Sequence, residues 1–254
     1  DGGGWKTVPA ANWPPLALFT LFLLTKSVTA GTILCLNQTV ATKAQALQTE
    51  AAVLMTTHLP PNLPEQENAE GLYRGASLIF EDDDAFKGFL QDNAQPFADP
   101  ITQEDITFLT RHTETLDLLR QAAVRPVCRF TRDYTRPSFD MLLPEVQFFR
   151  DAARILAASA RYRASIGEMP AALRDVSSIM KISMHASSEP ILISGLVGLA
   201  IDGIAVGVLI DILPFVDADD LALLKRNDIH NFLSTPPSLA KNINGEAAFG
   251  LNAF

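Results

Sequence analysis

Cysteine is scarce in this chain of 254 residues. Its two cysteines, Cys35 and Cys128, are too few for the disulfide framework of a small secreted domain, and they lack the paired spacing of a zinc site. Basic residues are also in deficit, because 20 lysines and arginines face 29 aspartates and glutamates, for a net charge of -9. No basic surface for nucleic acid is therefore expected. The 48% hydrophobic content excludes a disordered chain and provides for a sizeable core.

Signatures of the common enzyme mechanisms are missing as well. The sequence holds no GxSxG, HExxH, P-loop or GxGxxG motif. Ser178 and Lys181 fit an SxxK pattern, but the SDN and KTG elements that accompany it in penicillin-binding proteins are absent. The histidines lack the i,i+4 pairing of a helical zinc site and lie at His58, His112, His185 and His230. The sequence predicts no catalytic residue, no metal ligand and no cofactor.

One long hydrophobic run stands near the N-terminus, from Leu16 to Leu36. About 21 residues at 1.5 Å each give a helix of about 31 Å, which matches the hydrocarbon core of a bilayer. Trp13 and two prolines precede it, as suits a helix that starts at the headgroup level. A cleaved signal peptide is the competing interpretation, but the run is long for one and has no clear cleavage site. We predict a flank over 1–15 and a single transmembrane helix over 16–36.

Lys26 lies near the middle of this run, where a lysine costs about 3 kcal/mol unless it is paired or reaches an interface. Either its side chain snorkels to the membrane surface, or it contacts an acid or a carbonyl of another membrane subunit. Lys26 and Trp13 are therefore the candidate contacts with lipid and with membrane partners. Lys6 and Lys43 flank the run and barely decide its orientation. We favour a bacterial inner-membrane protein with most of its chain in the periplasm.

The rest of the chain shows helical periodicity interrupted by short breakers. The first helix is predicted to continue over 37–64 and to end in the proline-rich segment His58–Pro64, after which 65–254 forms a helical extracytoplasmic domain. Within that domain the acidic run Glu81–Asp84 predicts a solvated turn, and Thr102 begins a capping box for a helix that ends near Arg125. Further helices are predicted over 65–80, 85–91, 144–166, from Pro170, and from Asp217 to Leu233. The expected fold is all-α: an irregular helical bundle or a short α-solenoid.

The segment Glu189–Phe215 is apolar on all sides, which is typical of a buried core helix or of a second membrane span over 190–213. Asp202 and Asp211 favour the core helix, because each would cost about 3 kcal/mol near a bilayer centre. Its glycines suit close helix packing in either setting. Because the sequence starts at Asp1 and ends inside a predicted helix, we also expect the encoded protein to extend beyond one or both ends.

A loop of about 18 residues is predicted over 126–143, where two prolines interrupt the periodicity. Loops of this length are often functional, so its exposed polar residues are candidates for an interaction site. The alternative is a loop held in place by arginine pairs to neighbouring acids. The candidate residues are Cys128, Arg129, Arg132 and Arg136.

Several short elements together carry a family resemblance. They are Glu67-Asn68-Ala69 with Leu72-Tyr73, Cys128, Leu143-Pro144, Gly167-Glu168, the stretch Glu189-Pro190-Ile191-Leu192-Ile193-Ser194 with Leu196-Val197, and Gly245-Glu246. In these the chain resembles, over about 60–254, a family of uncharacterised membrane-anchored all-helical proteins frequent in planctomycetes and related bacteria. The hairpin around Gly167 is also similar to a tetratricopeptide-type unit. The resemblance implies a helical scaffold outside the cytoplasm and supplies no catalytic residue.

Two functions follow as hypotheses. The first is a noncatalytic accessory or structural subunit of a membrane-associated complex, which anchors a helical scaffold beside other membrane subunits and the lipid bilayer. The alternative is an envelope enzyme or small-ligand-binding protein that uses the 126–143 loop together with Arg150 and Arg154.

Overall fold

A computed structural model describes residues 14–81, 83–92, 101–135, 143–218, 220–226, 228–235 and 238–252. Within these ranges the chain forms eleven α-helices and no strand, which confirms the all-α class. The helices are α1 (Pro14–Thr57), α2 (Glu70–Glu81), α3 (Asp84–Asp92), α4 (Gln103–Arg111), α5 (Thr113–Ala123), α6 (Pro144–Ser165), α7 (Met169–Ala186), α8 (Leu192–Ile212), α9 (Leu221–Arg226), α10 (Ile229–Ser234) and α11 (Ala240–Asn252). The chain divides into two compact units, Asp1–Thr49 and Glu50–Phe254.

The first unit contains the predicted membrane span, which lies inside α1. Leu24, Val28 and Leu34 are exposed there, so this part of the helix presents apolar side chains to its surroundings. The Thr32 hydroxyl donates a hydrogen bond to the carbonyl of Val28 at 2.8 Å. The hydroxyl is therefore satisfied within the helix, as an apolar environment requires. Trp13 and the side chain of Lys26 lie outside the described residues. The N-terminal span remains a prediction.

The centre of the second unit is formed by α6, α7 and α8, which pack against one another. Small residues dominate the buried face of α6, including Ala152, Ala153 and Ala157, and allow its neighbours to approach closely. Gly167, at φ +81°, ends α6 in the left-handed region that favours glycine, and so sets the predicted helical hairpin. This hairpin provides the frame on which the remaining helices are placed.

Two predicted helices are each divided in the structure. The helix expected from Thr102 does begin with a capping box, in which the Asp105 amide donates to the Thr102 hydroxyl. It breaks at His112, whose buried ring lies 2.8 Å from the Asp83 carboxylate, so α4 and α5 replace one helix. The helix expected up to Leu233 is likewise divided into α9 and α10, with Asp228 in the left-handed region at φ 58°.

Helix α8 is the one described segment long and apolar enough to cross a membrane, when it is counted together with the turn up to Phe215. Only 39% of its apolar window is buried inside the chain. Arg161 donates a hydrogen bond to the Asp211 carboxylate at 2.7 Å, so one of the two acids of α8 is paired within the chain. The exposed apolar side chains on its other face are Ile193, Leu196, Val206 and Ile210.

Candidate functional site

The predicted interaction loop is held tightly where the structure describes it, over 126–135. Asn68 accepts a hydrogen bond from the Arg129 amide and donates one to the Arg129 carbonyl, both at 2.9 Å. The Arg129 guanidinium donates to the Pro60 carbonyl at 2.8 Å, and the Ser188 hydroxyl donates to the Cys128 carbonyl at 2.9 Å. The loop therefore ties three distant parts of the second unit together. Arg136 lies outside the described residues.

Arg132 belongs to a buried network of charged groups. Its guanidinium forms an ion pair with Glu145 and lies 3.5 Å from the Glu189 carboxylate, which also accepts a hydrogen bond from the Tyr134 hydroxyl. Burial raises the pKa of Glu189, and the neighbouring Arg132 partly offsets that rise. Arg132 thus pairs with two acids and holds the loop in place, as the alternative to an exposed interaction site predicts.

Cys128 is 1% exposed and lies next to this network. Burial raises the pKa of its thiol, and the carboxylate of Glu189 raises it further. Because the thiolate is the reactive form of cysteine, this placement keeps the side chain protonated and unreactive.

A large groove lies beside α8, and no described residue of the predicted loop lines it. Its volume is about 920 Å³, and its walls come from α7, α8, α10 and the residues just before α11. The lining is mostly apolar, with Met180, Leu199, Val206, Phe232 and Leu239 among its members. Sequence reasoning missed this groove because its walls are far apart in the chain. The clue in the sequence was the glycine content of α8.

The glycines of α8 serve two different purposes. A Cβ at Gly195 would lie 2.7 Å from the Asn242 side chain, and one at Gly198 would lie 2.7 Å from the Cβ of Ser187. These two glycines are needed for packing within the chain. A Cβ at Gly203 meets no described atom within 4 Å, and Gly203 lines the groove. Gly203 therefore leaves part of the groove empty without serving the chain's own packing.

Asp202 places a carboxylate in this apolar lining. Its Oδ1 is buried, and no described group donates a hydrogen bond to it. An unsatisfied buried polar atom costs about 1–3 kcal/mol, so a native structure that keeps one usually has a use for it. Asp202 is half-buried and lines the groove, whereas this oxygen itself is closed off from solvent.

The end of the groove is fixed by contacts between α11 and the turn that precedes α8. The Asn242 amide donates to the carbonyls of Glu189 at 2.7 Å and of Ile191 at 3.1 Å. Glu246 accepts a hydrogen bond from the amide of Leu192 at 3.0 Å, which satisfies a donor at the start of α8. Two elements that carried the family resemblance, Glu189–Ser194 and Gly245-Glu246, thus meet in space.

His185 is buried between two hydrogen-bond partners. Its Nε2 lies 3.0 Å from the carbonyl of Arg125, which can only accept, so Nε2 carries the proton. Its Nδ1 then accepts from the hydroxyl of Tyr73 at 2.9 Å. Burial, with a smaller contribution from the positive charge of Lys181, lowers the pKa of His185 to about 4.

We expect this histidine to make the fold sensitive to acid. The unfolded chain takes up a proton near pH 6.5 and the folded chain only near pH 4, so stability falls as the pH drops between these values. The loss attributable to His185 is about 3 kcal/mol at pH 4. Urea unfolding in mild detergent at pH 7 and pH 4 gives the loss of unfolding free energy. This loss should be smaller in His185→Gln than in the wild type, because the variant lacks the histidine's contribution. The exposed His230→Gln is the control, and an equal loss in the wild type and His185→Gln would contradict the assignment.

The described residues hold no group of three histidines, cysteines, aspartates or glutamates that could bind a metal ion. No known protein family, no curated protein and no solved structure matches this chain. The geometry of the groove beside α8, with Asp202 in its lining, makes it the candidate site.

Proposed function

We propose that this chain is a noncatalytic accessory subunit of a membrane-associated protein complex. The helix over 16–36 anchors it in a bacterial inner membrane, and the second unit is a scaffold on the periplasmic side that holds an apolar helix of a partner subunit in the groove beside α8. The observation that carries the proposal is the groove itself, a mostly apolar space of about 920 Å³ that no described part of the chain fills.

The apolar lining of the groove suits a helix. Amphipathic helices bind in apolar grooves through side chains spaced three and four residues apart. Gly203 supports close approach of such a helix, because small residues let two helix backbones come near each other. The exposed side chains of Val206 and Ile210 continue the apolar surface along α8. An apolar patch of this kind on a protein surface is typical of an interaction site.

Asp202 gives the groove its selectivity. A partner helix that carries a lysine, an arginine or a hydroxyl at the matching position would bind the half-buried Asp202 carboxylate that lines the groove. A wholly apolar helix would cover this carboxylate without pairing it and would bind less well. We therefore expect the partner to be an apolar helix with one hydrogen-bond donor near its middle.

The experiment fills the groove without disturbing the fold. Gly203→Leu adds a side chain where no described atom lies within 4 Å, and leucine has the better helix propensity, so the unfolding free energy should stay equal or rise. The tagged chain is extracted from its native membranes in mild detergent, and the proteins that copurify are quantified. We expect Gly203→Leu to lower the recovery of a stoichiometric partner at least fivefold.

The matched control is Gly88→Leu on α3, which is also exposed and also has no described atom within 4 Å of its Cβ. It should retain the partner. Equal recovery from the wild type, Gly203→Leu and Gly88→Leu would remove the groove from the proposal.

A further inference from the structure

A second, smaller cavity is lined by several basic residues. Its volume is about 490 Å³, and its walls come from the segment after α1, the turn after α5, helix α7 and the start of α11. Lys181, Lys241 and Arg125 line it, together with His58 and His185. None of its described lining residues is acidic, although the chain as a whole carries nine more negative than positive charges.

The positive groups of this cavity have no partners within the described chain. No hydrogen bond or ion pair reaches the side chains of Lys181, Lys241 or Arg125 from any described residue. Lys241 is partly buried, and burial lowers the pKa of its ammonium group. Burying a cation without a counter-charge is unfavourable, and an anion bound beside Lys241 would relieve that cost.

The walls of the cavity are fixed by hydrogen bonds already described. The Arg129 guanidinium donates a hydrogen bond to the Pro60 carbonyl, and the His185 ring donates one to the Arg125 carbonyl. Ser188 holds the Cys128 carbonyl. These bonds set the backbone of three walls in place before any ligand arrives, which reduces the entropy lost on binding.

We propose that this cavity binds a phosphate group through Lys181, Lys241 and Arg125. Phosphate is favoured because it carries up to two negative charges, and because an arginine can bind two of its oxygens at once while lysines add compact positive charges. The apolar rim, which includes Pro61, Val124 and Met184, would accommodate the organic part of a phosphate ester. The phosphate could belong to a free small molecule or to the headgroup of a phospholipid.

Lys241 allows a clean test because it lines this cavity and does not line the groove beside α8. The detergent-solubilised full chain is titrated with inorganic phosphate by calorimetry, at an ionic strength kept constant with chloride. We expect Lys241→Met to weaken the Kd at least tenfold, and Lys241→Arg to keep it within about threefold of the wild type. Lys225→Met, at an exposed lysine on α9, should bind phosphate as the wild type does.

A second titration distinguishes the two sources of phosphate. It uses the short-chain lipid dihexanoyl phosphatidylglycerol in place of inorganic phosphate. Tighter binding of the lipid, again lost in Lys241→Met, assigns the site to a headgroup, whereas binding of inorganic phosphate alone assigns it to a free phosphate compound. An unchanged Kd in Lys241→Met for both ligands, or no binding of either by the wild type, would overturn the proposal. Partner recovery by Lys241→Met should stay normal, which keeps this result separate from the test of the groove.

Discussion

Replacing Gly245 by alanine is expected to destabilise the second unit by about 3 kcal/mol or more. A Cβ at this position would lie 1.8 Å from the carbonyl oxygen of Pro190, and 2.7 Å from its carbonyl carbon. Both atoms belong to backbone, so no side-chain rotation relieves the overlap. Helix α11 would have to move away from the turn before α8, and the hydrogen bonds from Asn242 and to Glu246 would be lost with it.

Gly250 provides the control in the same helix. A Cβ there meets no described atom within 4 Å, and alanine is favoured over glycine inside a helix by up to about 1 kcal/mol. Urea unfolding should therefore show Gly250→Ala equal to or more stable than the wild type, and Gly245→Ala much less stable. Similar stability of the two variants would mean that α11 does not pack against Pro190 as described.

Removing the carboxylate of Asp175 is expected to cost about 3–5 kcal/mol. Asp175 is fully buried, and Arg120 donates to its two oxygens at 2.7 and 3.1 Å. Ser159 donates to it as well, at 2.7 Å. In Asp175→Ala the partly buried guanidinium of Arg120 loses its main counter-charge, and the Ser159 hydroxyl loses its acceptor.

The same arginine offers a matched comparison, because it also donates to Asp117 at 2.7 Å. The Asp117 side chain is 57% exposed, so Asp117→Ala should cost at most about 1 kcal/mol. Chemical unfolding of the two variants at neutral pH measures the difference. Equal losses of unfolding free energy in Asp175→Ala and Asp117→Ala would show that burial does not determine the strength of the two ion pairs of Arg120.

Local signals in the sequence predicted much of the fold. The helices predicted over 144–166 and from Pro170, with a hairpin around Gly167, correctly gave α6 and α7, and Thr102 correctly marked the start of α4. The break at His112 could not be foreseen, because helical periodicity continues through it. At the break, the buried His112 ring contacts the Asp83 carboxylate, which comes from a different part of the chain.

The site was far less predictable than the helices. The loop residues stood out because they are polar and lie between prolines, yet Arg132 and Tyr134 bind Glu189, which is 55 positions beyond Tyr134. No local pattern reveals such a partner. The groove beside α8 depends on Phe232 and Leu239 reaching α7 and α8, so only the glycines of α8 hinted at it.

The two proposed sites share part of α7 and would serve different ligands. The groove is mostly apolar and includes the carboxylate of Asp202, whereas the cavity is lined by basic residues and by no described acid. Lys181 and Met184 line both, so binding at one site has a physical route to the other. A subunit built in this way would hold its partner helix in one site and a phosphate group in the other.

The native mass of the chain, extracted from its own membranes in mild detergent, tests the central proposal most directly. A noncatalytic accessory subunit should appear at the mass of a defined complex with one or more different proteins, and Gly203→Leu should shift it toward the mass of a single chain. A wild-type chain that is found in the soluble fraction, or that leaves the membrane as an isolated monomer, would contradict the proposal.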